Sequence, residues 1–255
     1  LTYGYSSAPV FENISVDFSK NLNVIIGPNA AGKSTLLKCL FGLLKAQGNI
    51  AWKGKDILRM PHDERADIMA YLPQDDIPPT SLTVFETVLL GRLFSLKWKV
   101  VDADREKVYS TLESLHIETL AERCVAELSG GQRKLVSIAQ TLIRDPDIIL
   151  MDEPVNSLDM QKQIELFDII HQIINVKNIM FVIVMHDINL SSKHADQLTI
   201  LDGGGNIFAS GKPQDIVTRK MLRDVYSVEA DITHDKNGIP VVIPNRSLNY
   251  LKYCV

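Results

Sequence analysis

The sequence predicts an α/β fold built on a mostly parallel sheet with helices on both faces. Three observations predict it. Apolar runs at residues 22–26, 148–151 and 179–185 have strand length. Helical patterns stand between them: Leu36, Leu37, Leu40, Phe41 and Leu44 after the first run, Leu135, Ile138, Ala139, Leu142 and Ile143 before the second, and a stretch near 161–174 after it. Alternation of strand and helix argues for parallel strands joined by covering helices.

From the start of the chain, alternation over residues 10–18 predicts an early strand or hairpin, expected to begin upstream of Leu1. The 22–26 strand and its helix follow. Residues 49–52 read as a short strand ending in the turn Lys53-Gly54. Pro78-Pro79 then breaks the chain, and helical patterns over 84–93 and 104–115 predict a helical insertion spanning 75–127. From Leu128 the α/β pattern resumes. Gly203-Gly204-Gly205 joins two further strands, a single helix is expected over 213–226, and Lys236-Asn237-Gly238 marks a hairpin in a short β tail at 228–255. These hairpins supply an antiparallel portion beside the parallel core.

At 255 residues, 45% hydrophobic and 23% charged, the chain is long enough for one domain, residues 1–255, with a large core. A net charge of −4 and the absence of any Lys/Arg block give no electrostatic reason to expect nucleic acid as a partner. Cys39, Cys124 and Cys254 lack C-x-x-C spacing and fit reduced thiols in the cytosol. The longest apolar stretch, 179–185, falls far short of the ~20 residues that cross a bilayer, and no signal peptide is expected at the start. Membrane work would fall to a partner.

The chemistry begins at Gly27-Pro28-Asn29-Ala30-Ala31-Gly32-Lys33-Ser34-Thr35, a complete G-x-x-x-x-G-K-[ST] phosphate loop with a strand before it and a helix after it. Such a loop wraps backbone N–H groups around an anion at a helix N-terminus. Lys33 would meet the β and γ phosphates, Ser34 would offer its hydroxyl to Mg²⁺, and Thr35 would lie near the α phosphate. The 148–151 strand ends in Asp152-Glu153. Strand carboxyl ends are where ligands bind in open α/β sheets, so Asp152 is a candidate Mg²⁺ partner and Glu153 a candidate to polarise the attacking water. His186 and Asp187 end the 179–185 strand in the same way; His186 could reach the γ phosphate, and Asp187 could simply cap the next helix. Leu128-Ser129-Gly130-Gly131-Gln132 leads into the amphipathic helix, either as an ordinary cap or as a second anion site. One nucleotide already has its phosphates held by the loop, so a second anion site calls for another nucleotide, most economically one carried by a second copy of the chain.

With these motifs in this order, the chain resembles the ATP-binding-cassette (ABC) ATPases over nearly its full length. The loop 27–35, Gln74 in Tyr71-Leu72-Pro73-Gln74, the signature 128–132, the pair Asp152-Glu153, Ser157-Leu158-Asp159 and His186 all match the family, and Tyr5 matches its adenine-stacking aromatic. The resemblance implies a phosphate-loop ABC fold and a head-to-tail dimer with two ATP molecules between one copy's loop and the other's signature helix. Gln74 would sense Mg²⁺ and the water and link to the insertion, and Asp159 would bridge the interface. Three places depart from the usual pattern: Ala30 and Asn21 stand where Gly is common, and Val155-Asn156 replaces a frequent Thr-Ser pair. Asn21 is expected to tolerate a left-handed backbone.

Within the family, Tyr71-Leu72-Pro73-Gln74, Leu82-Thr83-Val84, Gly91-Arg92 and the tail segments Gly238-Ile239-Pro240 and Ile243-Pro244 resemble importer ATPases for iron chelates, haem or cobalamin. That resemblance implies an ATP-hydrolysing energy-coupling subunit on the cytoplasmic face of the membrane. It would work with integral membrane permease subunits and, indirectly, with a periplasmic or surface substrate-binding protein. The alternative is a soluble ABC ATPase acting on nucleic acid, a ribosome or cofactor assembly.

Overall fold

The computed structural model describes residues 1–5, 8–18, 21–75, 77–92, 100–156 and 158–248. Ser157, residues 93–99 of the expected insertion and the end of the expected tail lie outside them. The chain divides into two units: Leu1–Arg59 together with the chain from Phe181 onward, and Met60–Met180.

In chain order the first unit opens with β1 (Tyr3–Gly4), β2 (Pro9–Phe11), β3 (Leu22–Ile26), α1 (Lys33–Phe41), β4 (Ala51–Trp52) and β5 (Lys55–Asp56). The second unit contributes α2 (His62–Ile68), β6 (Met69–Leu72), α3 (Val84–Leu90), α4 (Asp102–Glu113), α5 (Gly130–Leu142), β7 (Ile148–Asp152) and α6 (Met160–Lys177). After β8 (Met180–Val184) the first unit resumes with α7 (Ile188–His194), β9 (Gln197–Leu201), β10 (Ile207–Gly211), α8 (Pro213–Ile216), α9 (Arg219–Tyr226), β11 (Val228–His234) and β12 (Pro240–Ser247).

In the first unit β3 lies between β8 and β9 and runs parallel to both, with Leu22 opposite Phe181 and Asn23 opposite Gln197. All five residues of β3 are buried, as a central parallel strand covered on both faces requires. β10 adds to β9 in antiparallel register, and β11 pairs with β12 through the turn at Gly238. In the second unit β6 and β7 are parallel, with Tyr71 opposite Leu150. α5 packs on β6 and α3 and buries Val136, Ile138, Ala139 and Leu142. No described helix is long and apolar enough to cross a membrane.

Two elements differ from the sequence expectation. The early strand stops at Phe11 instead of running to Phe18, because Asn13 takes a left-handed φ of 48° and its N–H turns to the Thr2 hydroxyl at 2.8 Å. The single helix expected over 213–226 is two, because Thr218 is extended and its hydroxyl accepts from Met221 N–H at 3.1 Å, starting α9 anew.

Candidate functional site

The phosphate loop belongs to the first unit. β3 delivers Gly27, where the backbone runs so close to the β9 end that a Cβ would stand 2.5 Å from the Leu201 carbonyl oxygen. Pro28, Asn29 and Ala30 form the outer part of the loop, and Ala31 returns to bond the Pro28 carbonyl at 3.3 Å. Gly32, at φ 87°, turns the chain into α1. The Lys33 side chain is buried beneath the loop, with Nζ donating to the carbonyls of Gly27 at 2.9 Å and Pro28 at 2.8 Å. A buried ammonium next to the N-terminal end of a helix makes this a strongly electropositive spot. Ser34 and Thr35 are half-buried in the first turn.

Tyr5 is 65% exposed, stands edge-on to Tyr3 at 5.2 Å, and its hydroxyl lies 3.3 Å from that of Thr35. Thus the expected adenine-stacking ring and the expected α-phosphate hydroxyl are neighbours. His186, just past β8, is exposed, while Asp187 accepts from Leu190 N–H at 2.9 Å and caps α7.

The second unit carries the acids. β7 ends in Asp152 and Glu153 follows it, both buried. The Tyr71 hydroxyl donates to Asp152 Oδ2 at 3.4 Å, and burial, reinforced by the Asp152 charge, pushes the phenol far above its ordinary value. It therefore stays a neutral donor across the working pH range. Glu153 sits at a left-handed φ of 50°, an uncommon conformation for a residue with a long side chain. Its Oε2 accepts from Gln74 Nε2 at 3.0 Å and also from Asn156 Nδ2. Lys134, buried on α5, reaches the Gln74 carbonyl at 3.4 Å.

Ser129 caps α5 by a reciprocal capping box: its hydroxyl accepts from Gln132 N–H at 3.3 Å, and Gln132 Oε1 accepts from Ser129 N–H at 3.0 Å. Gly130 and Gly131 form the first turn between these contacts. Asp159 caps α6, accepting from Lys162 N–H at 2.9 Å.

The structure thus brings Gln74 to Glu153, Ser129 to Gln132 and Tyr5 to Thr35, and it gives Asp159 a cap of its own. Three neighbours escaped the sequence reading as site residues: Tyr71, Asn156 and Lys134. Tyr71 and Asn156 had a signal, since one stood in the Gln74 motif and the other broke the family pattern. Lys134 had none beyond its place on the signature helix.

A strand–loop–helix with a buried lysine and a strand ending in paired buried acids are the working parts of a phosphate-loop nucleotide hydrolase. The ABC transporter family model matches residues 11–156, and the chain belongs to that family; it is an ATPase of the transporter type. An ABC transporter ATP-binding protein of Methanocaldococcus jannaschii is 39% identical over 246 residues, covering 96% of this chain and 95% of its own length. The petrobactin import ATP-binding protein FpuD of Bacillus anthracis is 37% identical over 250 residues, covering 96% and 91%. The ferric enterobactin transport ATP-binding protein FepC of Escherichia coli is 35% identical over 252 residues, covering 96% and 92%. Among solved structures, an ATP-binding cassette of an ABC transporter in its ADP conformation matches with a TM-score of 0.75 at 30% identity, over 83% of this chain and 88% of that one. A metal-chelate type ABC transporter in an inward-facing conformation matches in fold with a TM-score of 0.80 at 24% identity, over 96% and 94%. The reading as a non-transport ATPase is not favoured by these relatives.

Proposed function

We propose that this chain is the energy-coupling ATPase of an importer for an iron chelate of the siderophore type. It would sit peripherally on the cytoplasmic face of the membrane, joined to permease subunits through the helical insertion at 75–127 and served indirectly by a substrate-binding protein. Support for the cargo comes from the relatives named for petrobactin and ferric enterobactin. Support for the chemistry rests on one observation above the others: Lys33 is buried under its loop, its ammonium held by the carbonyls of Gly27 and Pro28 within the phosphate-loop motif.

In this reading residues 27–35 hold the triphosphate of ATP, Tyr5 stacks on adenine, and Lys33 and His186 meet the terminal phosphate oxygens. Ser34, Gln74 and Asp152 would hold Mg²⁺. They offer hard oxygen donors, and the buried Asp152 carboxylate suits an ion that takes only a few protein ligands and completes its shell from phosphate and water. When bound, Mg²⁺ would neutralise charge building on the phosphate oxygens. Glu153 takes a proton from the attacking water as the water oxygen bonds the γ phosphorus and the bond to the β-phosphate oxygen breaks. Ser129, Gly130, Gly131 and Gln132 of one copy would face the γ phosphate held by a second copy, with Asp159 at the joint between them.

Glu153→Gln should cut turnover by roughly 10²-fold or more while leaving ATP affinity nearly intact; measured kcat beside equilibrium ATP binding checks it, and unchanged turnover would sink the assignment. For the cargo, reconstitution with a chelate permease and binding protein should give ATP-dependent uptake of ferric siderophore. Uptake driven equally well by the Glu153→Gln chain would contradict the coupling role.

A further inference from the structure

Glu153 is held by more than the strand it follows. Its left-handed φ of 50° is a strained conformation for a residue with a Cβ, which neighbouring contacts must offset. Asn156 supplies two of them. Its backbone N–H donates to the Glu153 carbonyl at 3.2 Å, and its side-chain amide donates to Glu153 Oε2. The turn is therefore closed into a ring through both main chain and side chain. The same Oε2 accepts from Gln74 Nε2 at 3.0 Å, from a segment 79 residues away in sequence. Two amides from independent segments thus converge on one carboxylate oxygen and fix the direction in which the carboxylate points.

We infer that Asn156 is a positioning residue for ATP hydrolysis: it orients the Glu153 carboxylate by holding Oε2 and acts only through that group. This rests on the reading of Glu153 as the acceptor of the water proton. The Asn156 amide carries its donor three bonds from Cα, which lets it reach Glu153 Oε2 across the turn. With Asn156 gone, the carboxylate would lose one of the two amides that hold Oε2, and its rotation would spread the geometry of attack on which hydrolysis depends.

The test is steady-state ATP hydrolysis by the full chain carrying Asn156→Ala, Asn156→Asp, Glu153→Gln and the Asn156→Ala/Glu153→Gln pair. Asn156→Ala should lower kcat by about tenfold or more, because small misplacements of reacting groups have effects of that size, and should leave KM for ATP unchanged. Asn156→Asp keeps the shape but loses the donor and sets carboxylate against carboxylate, so its kcat should fall at least as far. In the Glu153→Gln background, Asn156→Ala should change the residual rate by no more than about twofold, since coupled residues do not add. The inference is overturned by wild-type kcat in Asn156→Ala, by wild-type kcat in Asn156→Asp, or by an equal proportional loss in both backgrounds, which would mean a merely structural turn. A Glu153→Gln chain that hydrolyses ATP at the wild-type rate would instead bring down the underlying reading of Glu153.

Discussion

Two helices of this chain begin at glycines, and they are built to different ends. α1 follows Gly32, whose φ of 87° suits glycine and where a Cβ would meet Val10 Cγ1 at 2.7 Å. α5 follows Ser129, which caps it in a reciprocal box, and a Cβ on Gly130 would meet nothing within 4 Å. The protomer's own packing dictates the first glycine. Among the described residues no atom within 4 Å dictates the second, and under the proposed function the start of α5 would face the nucleotide of a second copy. A side chain there would hold its phosphate off.

The largest expected effect tests the α1 side. Lys33→Ala removes a charge-assisted phosphate contact worth roughly 1.5–3 kcal/mol, so ATP affinity should fall about 10- to 100-fold. Equilibrium nucleotide binding to the isolated chain measures it, and unaltered affinity would break the comparison at its stronger end. Next comes Gly32→Ala. A non-glycine residue in the left-handed region loses about 1–2 kcal/mol, so the midpoint of chemical denaturation should drop even without nucleotide. Gly130→Ala should do the reverse to stability. It replaces glycine in a helix by the best helix former, a gain of up to about 1 kcal/mol, yet it should depress turnover while leaving ATP affinity of the single chain intact. If Gly130→Ala hydrolyses ATP as well as wild type, α5 is simply a well-capped helix and the second anion site is gone.

Which parts were legible in the sequence follows from how far apart the determining residues lie. The 22–26 strand and the 27–35 loop are contiguous, and their meaning is local: an apolar run buried on both faces, then glycines at turning points. Ala30 was flagged because Gly is common there, and its φ of 62° shows why. The contacts around the acids were hidden. Tyr71 meets Asp152, 81 residues away in sequence, only because β6 and β7 pair in a register that sets Tyr71 opposite Leu150. Asn156 meets Glu153 only because Glu153 takes a backbone conformation its residue type does not announce. The break at Thr218 was masked by a helical pattern that continues across it, although the threonine itself was a cap signal. Asn13 likewise ends a strand by turning left-handed where polar alternation alone read onward.

The far end of α5 gives the smallest effect and a control on the near end. Asp145, just past the helix at a left-handed φ of 49°, receives hydrogen bonds from Lys177 at 2.6 Å and from Lys107, tying α4 and α6 to this corner. Burial pushes its carboxyl up, but the two lysines outweigh that and hold it below the usual aspartate value. A carboxyl depressed in the folded state stabilises fully above the unfolded pKa, and that contribution is lost as pH falls through the folded pKa. Asp145→Asn keeps a residue suited to the left-handed backbone and removes only the charge. With the side chain about half exposed, the loss should be about 0.5–1 kcal/mol, as for partly exposed ion pairs. Unfolding curves should show it undiminished from about pH 5 to 8 and shrinking below about pH 4, where the wild-type carboxylate begins to take up protons. ATP turnover should not change with it. A pH-independent difference would assign the effect to the backbone rather than the charge, and a fall in turnover would mean that the far end of α5 is coupled to its glycine end.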